Sequence, residues 1–95
     1  MGSSIIPLCP RADKQFKKDV RSCQKSGKDL DKLWSIIEIL CNSSFLKSKH
    51  KKHRLSGKYK NFWECHIEPD WLLIWDVEDI RLRLIRTGSH SELFG

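Results

Sequence analysis

Residues 71–75, Trp-Leu-Leu-Ile-Trp, are apolar without a break, with Glu68 and Asp70 before them and Asp76, Glu78 and Asp79 after. A strand with one wet face alternates apolar and polar side chains, whereas an unbroken short run belongs to a strand covered on both faces. The segment therefore predicts the central strand of a sheet. His66, Glu68 and Asp70 precede it at alternate positions, interrupted by Pro69. Structural needs alone give little reason to put a histidine and two acids there.

The rest of the chain is read around that strand. Residues 5–9 suit a short edge strand, where Pro7 is tolerated, and Pro10 suits a first helical turn. Ala12, Phe16, Val20 and Cys23 recur at helical spacing, so residues 11–25 predict an amphipathic helix ended by Ser26-Gly27. Asp29 is positioned to cap a second helix with a Leu30, Leu33, Trp34, Ile37, Leu40 stripe. After Asn42-Ser43-Ser44 the period changes. Residues 54–57 suit a short strand or turn. Residues 64–68 alternate, with Glu64, His66 and Glu68 on one face and Cys65 and Ile67 on the other. Residues 80–87 alternate again, with Ile80, Leu82 and Leu84 inward and Arg81, Arg83 and Ile85 outward. Two helices followed by three antiparallel strands make an α+β fold: two N-terminal helices packed on a small, mainly antiparallel sheet.

Ninety-five residues suffice for one domain with a modest core, so residues 1–95 are read as a single unit. Residues 1–4 are expected to be disordered or vector-derived. A binding site on such a unit is a groove or a sheet face. No run approaches the roughly 18 apolar residues of a membrane span, and the N-terminus lacks a signal-peptide pattern. A cytoplasmic protein with no membrane partner is expected. Cys9, Cys23, Cys41 and Cys65 form no CxxC pair and read as small buried thiols. The His50-x-x-His53 pair has no matching second pair, so neither metal nor other cofactor is expected.

The net charge is +6, and its distribution matters more than its size. Residues 47–60 carry seven Lys/Arg and no acid, residues 61–80 carry six acids and no Lys/Arg, and Arg81, Arg83 and Arg86 follow. A lysine run alone is usually a solvated loop. Interleaved with His50, His53 and Tyr59, and followed by arginines on a strand, it favours a phosphate-bearing partner. Lys51, Lys52, Lys58, Lys60, Arg83 and Arg86 are the candidate cations for it, and the charge pattern leaves RNA, DNA and an acidic protein all open as that partner. Histidine titrates near neutrality, and histidines beside an aspartate and a cationic patch suit metal-independent RNA cleavage by the neighbouring 2′-hydroxyl. No nucleophile-elbow, P-loop or dinucleotide motif is present.

Three motifs in order, "HRLSG", "CHIEPDWLLIW" and "RTGSHSELF", resemble the YafQ branch of the RelE/ParE superfamily of bacterial toxins. "QFKKDV" and "GKDLDKLW" fit it as well, so the resemblance runs from about Pro10 to Gly95. It implies a twisted sheet with two N-terminal helices, and a ribosome-dependent mRNA endoribonuclease held inactive by a cognate antitoxin. It also implies that operator DNA is bound only through that antitoxin. By similarity the catalytic positions are His53, His66, Asp70, His90 and Phe94. His90 is the general acid, His66 and Asp70 assist the base or the transition state, His53 acts at the phosphate or the 2′-hydroxyl, and Phe94 stacks on a base.

The chain departs from this pattern at two places. It has Lys52 and Arg54 around His53, where relatives usually read Asp-His-Pro, and it has Trp63 where they tend to carry arginine. The latter puts full activity in question, because Arg83, Arg86 or the lysines must then supply the missing charge. Two other readings compete: a superfamily toxin that binds a protein target and cuts nothing, and a plain basic nucleic-acid-binding module. The His66, Asp70, His90 set favours the nuclease.

Overall fold

The apolar run becomes β4 (Trp71–Glu78), the middle strand of a five-stranded sheet. The structure, a computed structural model, describes residues 7–42 and 44–95. The other elements are β1 (Cys9–Ala12), α1 (Lys14–Lys25), α2 (Leu30–Cys41), β2 (His53–Arg54), β3 (Trp63–Glu68), β5 (Arg81–Gly88) and α3 (His90–Phe94). Single 3-10 turns lie at Ser48–His50 and Gly57–Tyr59. Strand order is β1-β5-β4-β3-β2. β2, β3, β4 and β5 pair antiparallel in sequence, and β1 joins β5 in parallel. The α+β class is as expected, with the parallel edge making the sheet mixed.

Pleating explains the unbroken run, because successive side chains enter two different cores. Trp71, Leu73 and Trp75 pack with Phe16 and Cys23 of α1 and with Leu33, Ile36, Ile37 and Leu40 of α2. Leu72 and Ile74 face the other way, against Tyr59, Ile85 and Leu93. The second face is thus covered by the Gly57–Tyr59 turn and α3, not by helices α1 and α2. Each such side chain contributes about 1.5–3 kcal/mol on burial. The buried Trp71 Nε1 donates to Thr87 Oγ1 at 2.9 Å, and that hydroxyl donates to the Leu72 carbonyl at 2.7 Å.

Several local expectations are corrected. Residues 5–6 lie outside the described residues, and the edge strand runs over Cys9–Ala12. Pro10 is in that strand rather than in a helix. The Cys9 and Asp13 amides donate to Ile80 and Leu84 carbonyls at 2.7 and 3.0 Å, so the intervening Pro10 nitrogen faces the open edge, where no ladder bond is lost. α1 begins only at Lys14, so Ala12 packs from the strand.

Trp34 does not join the core but is 45% exposed. Leu33, Ile36, Ile37 and Leu40 form the true i, i+3, i+4, i+7 set. Ile80 lies at the β4–β5 turn, half-exposed beside Asp79 in left-handed conformation. The β4–β5 register shifts between Ile74 and Trp75, whose partners are Arg86 and Leu84, and the extra residue, Ile85, is buried in the second core. Among the thiols Cys23 and Cys65 are buried as expected, Cys41 is half-buried, and Cys9 is exposed on the edge strand. No described helix is long and apolar enough to cross a membrane.

Candidate active site

Strand register collects the polar residues on the face away from α1 and α2. His53 of β2 lies opposite Glu64 of β3, His66 lies opposite Leu72 of β4, and Leu72 lies opposite Gly88 of β5. His90 opens α3 directly after that row. Ring centroids then follow one another: His53 to His66 6.5 Å, His66 to His90 5.6 Å, His90 to Phe94 6.5 Å. The Tyr59 ring meets Phe94 edge-on at 5.6 Å. The five residues singled out by resemblance, with Asp70 in the β3–β4 turn, are thereby brought together.

Each histidine in the row is anchored by the same atom. Nδ1 contacts Lys51 O in His53 at 2.7 Å, Pro69 O in His66 at 3.2 Å, and Asp70 Oδ1 in His90 at 2.8 Å. A carbonyl oxygen only accepts, and the Asp70 carboxylate does the same, so each Nδ1 carries the hydrogen. That tautomer leaves Nε2 free to exchange a proton. In His66 and His90 no hydrogen bond among the described residues occupies Nε2.

Asp70 accepts twice through one oxygen, from the His90 backbone N–H at 3.0 Å and from its Nδ1–H. The backbone hydrogen bond first, then the imidazole, hold its carboxyl below the usual carboxylate range. α3 is itself set by a capping box, in which Ser89 Oγ accepts from the Glu92 amide and Glu92 Oε1 accepts from the Ser89 amide. Gly88 makes this possible, since a Cβ there would come within 2.9 Å of Glu92 Oε1 at a φ of +155°.

Glu64 was not among the candidates and belongs to the cluster. It is 3% exposed, with Oε1 3.2 Å from His53 Nε2 and 4.0 Å from His66 Nε2, while no donor among the described residues reaches Oε2. A carboxyl group this deep needs a cation or a proton, and His53 Nε2 can supply either. The available signal was its place on the His66 face; what was missing was the register that puts His53 across from it.

The cations divide. Arg86 is a strut as well as a charge: Nε and Nη2 donate to Asp19 at 2.7 and 3.1 Å, and Nη1 to Tyr59 Oη at 3.1 Å. Asp19 also accepts from the Thr87 amide, and its hydrogen bonds raise the Arg86 pKa. Arg83 is not brought to the cluster. It pairs with Asp13 at 3.2 Å, five residues, roughly 16 Å, down the strand from Gly88. Lys51, Lys52, Lys58 and Lys60 are all exposed. Lys58 sits 5.3 Å over the Tyr59 ring, beside the row.

Lys52 lies elsewhere, 4.6 Å over Trp63, with Arg54 4.7 Å from the same ring. Trp63 packs against the helix-side core, away from the histidines. The three departures from the family pattern, Lys52, Arg54 and Trp63, thus form a single cation–π cluster, in which the two added cations flank the added ring. Elsewhere Glu68 pairs with Lys32, and Trp71 and Trp75 are core residues. No group of three or more His, Cys, Asp or Glu among the described residues is disposed to hold a metal ion.

The family described as "Bacterial toxin of type II toxin-antitoxin system, YafQ" matches residues 9–95. The mRNA interferase toxin YafQ of Escherichia coli strain K12 is 43% identical over 82 residues, 85% of this chain and 89% of that protein. The crystal structure of YafQ from E. coli BL21(DE3) superposes with a TM-score of 0.87 at 38% identity, covering 93% of this chain and 99% of that one. The toxin in the E. coli DinJ-YafQ toxin-antitoxin complex gives 0.85 at 40% identity, covering 95% and 100%. The chain therefore belongs to the YafQ family of toxins from bacterial type II toxin–antitoxin systems.

Proposed function

We propose that the protein is a ribosome-dependent mRNA endoribonuclease that uses the RNA's own 2′-hydroxyl as nucleophile. The observation that carries this reading is the row of three histidines anchored through Nδ1, two of which, His66 and His90, keep Nε2 for proton transfer. His66 Nε2 takes the 2′-hydroxyl proton as the oxygen attacks the adjacent phosphorus. His90, acting as the imidazolium with Nδ1–H held by Asp70, gives its Nε2 proton to the departing 5′-oxygen, leaving a 2′,3′-cyclic phosphate and a 5′-hydroxyl. Asp70 orients His90. His53, backed by Glu64, and Lys58 stabilise charge on the phosphorane, with Arg86 behind Tyr59. Phe94, 44% exposed, stacks on an unstacked base. Protein residues accept one proton, from the 2′-hydroxyl, and donate the other, to the 5′-oxygen.

The relative in the DinJ-YafQ structure supports a cognate antitoxin as partner. An acidic or amphipathic antitoxin segment covers the basic face, and operator DNA is reached only through the antitoxin. Translated mRNA and the ribosome place the activity in the cytoplasm. The test is an mRNA with a single 2′-deoxynucleotide at the mapped cleavage position, presented on translating ribosomes. Cleavage should vanish at that position and leave 2′,3′-cyclic ends elsewhere. Cutting at the deoxy position would exclude 2′-hydroxyl attack.

A further inference from the structure

One histidine remains outside the catalytic row. His50 ends the Ser48–His50 turn, and its Nδ1 lies 2.7 Å from the backbone oxygen of His66. That oxygen accepts, so His50 also carries its hydrogen on Nδ1 and turns Nε2 away from β3. Beside it is a groove of about 510 Å³, lined by Lys32, Lys49, His50, Lys51, Glu68 and Pro69 and bordered by His66. This volume is within the range of small-ligand sites. Three ammonium groups face one carboxylate, and that carboxylate, Glu68, is already paired with Lys32. The charge favours an anion, Pro69 offers an apolar wall, and His50 Nε2 offers a single polar edge.

Position supplies the direction. The groove borders His66, the proposed base, and is not lined by His90, the proposed acid. In 2′-hydroxyl attack the base serves the nucleotide 5′ of the scissile phosphate and the acid serves the 3′ side. We infer that this groove is the subsite for the nucleotide carrying the attacking 2′-hydroxyl, with Lys49 and Lys51 on its 5′-phosphate and His50 against its base. The inference rests on the catalytic reading above. The backbone link from His50 to His66 makes filling the groove a means of aligning the proton acceptor.

The test uses imidazole NMR of the whole chain with two non-cleavable probes. The first is a 5′-phosphorylated dinucleotide with a 2′-deoxy first residue. The second has the same scissile linkage but an abasic first residue and no 5′-phosphate. The first should shift His50, His66 and His90; the second should shift His66 and His90 and leave His50 unmoved. Lys49→Ala and His50→Ala should each weaken the first probe about five-fold, the loss of one hydrogen bond or ionic contact, and leave the second unchanged. Lys49→Ala guards against any folding defect from His50→Ala. If both probes move the catalytic histidines while His50 stays silent, the subsite is wrong and the catalytic reading stands. If neither probe moves any histidine, both fail. A His50 response to a glutamate hexapeptide but not to the first probe would assign the groove to a protein partner and overturn the proposal.

Discussion

Asp70 and His90, twenty residues apart, are joined twice through one carboxylate oxygen, which accepts the His90 backbone N–H and its Nδ1–H at 3.0 and 2.8 Å. The β3–β4 turn is thereby fastened to the first residue of α3. One carboxylate both seats the helix and fixes the imidazole tautomer. Asp70→Ala should therefore reduce mRNA cleavage by about 10²-fold, toward the lower end of what a positioned proton donor contributes. Urea denaturation should show little change, since Asp70 is exposed. An unfolded variant would assign Asp70 to stability rather than to orientation.

The same tie has a pH signature. Asp70 has a folded-state pKa below its ordinary 3.8, so its contribution is complete above 3.8 and is lost as pH falls through the lower folded value. The His90 amide resonance, followed on acid titration, should move with a midpoint below 3.8. A midpoint at or above that value would mean the contact is not made in solution.

Gly88→Ala should act at a distance of two residues. The added methyl would displace Glu92 Oε1, open the capping box and turn His90 out of the row. The expected cost is roughly 1–3 kcal/mol in chemical denaturation, together with a loss of cleavage larger than that stability change explains. Retained activity would show that α3 does not need its cap to present His90.

Asp19 anchors Arg86 from α1 and also accepts from the Thr87 amide. Asp19→Ala leaves a largely buried guanidinium and the Thr87 amide without their acceptor, at about 3 kcal/mol by urea denaturation. Asp19→Asn, which keeps an acceptor oxygen, should cost less. Equal losses would mean that shape rather than charge matters there.

The thiols give a check on packing alone. Burial pushes the Cys65 thiol up to about 12, while Cys9 is exposed. At pH 8 a thiol reagent should modify Cys9 at once and Cys65 only at the rate of unfolding. Prompt labelling of Cys65 would contradict the helix-side core.

How far the sequence carried these conclusions differs by element. The Trp71–Trp75 run disclosed β4 and its double cover, because alternation is a local property. Helix α2 was disclosed by its stripe, although Trp34 looked like part of it; only packing reveals which apolar side chains at adjacent angles find neighbours. Pro10 misled, because proline suits both a first helical turn and a strand edge, and the choice between them depends on β5. Of the site, His53, His66, Asp70, His90 and Phe94 were legible through motif resemblance. Glu64 was not, since its role comes from lying across from His53 in the β2–β3 register. The pairing of Arg83 with Asp13, 70 residues away in sequence, was equally invisible, as was Arg86 with Asp19.

The most direct test of the central claim is cleavage by His90→Ala. Wild-type and variant chains are compared by primer extension on translated mRNA, with circular dichroism and urea melting to confirm the fold. The account predicts an intact fold and a cleavage rate lower by about 10²–10⁴-fold, the contribution of a general acid. A folded His90→Ala chain that cuts the same positions at the wild-type rate would contradict it.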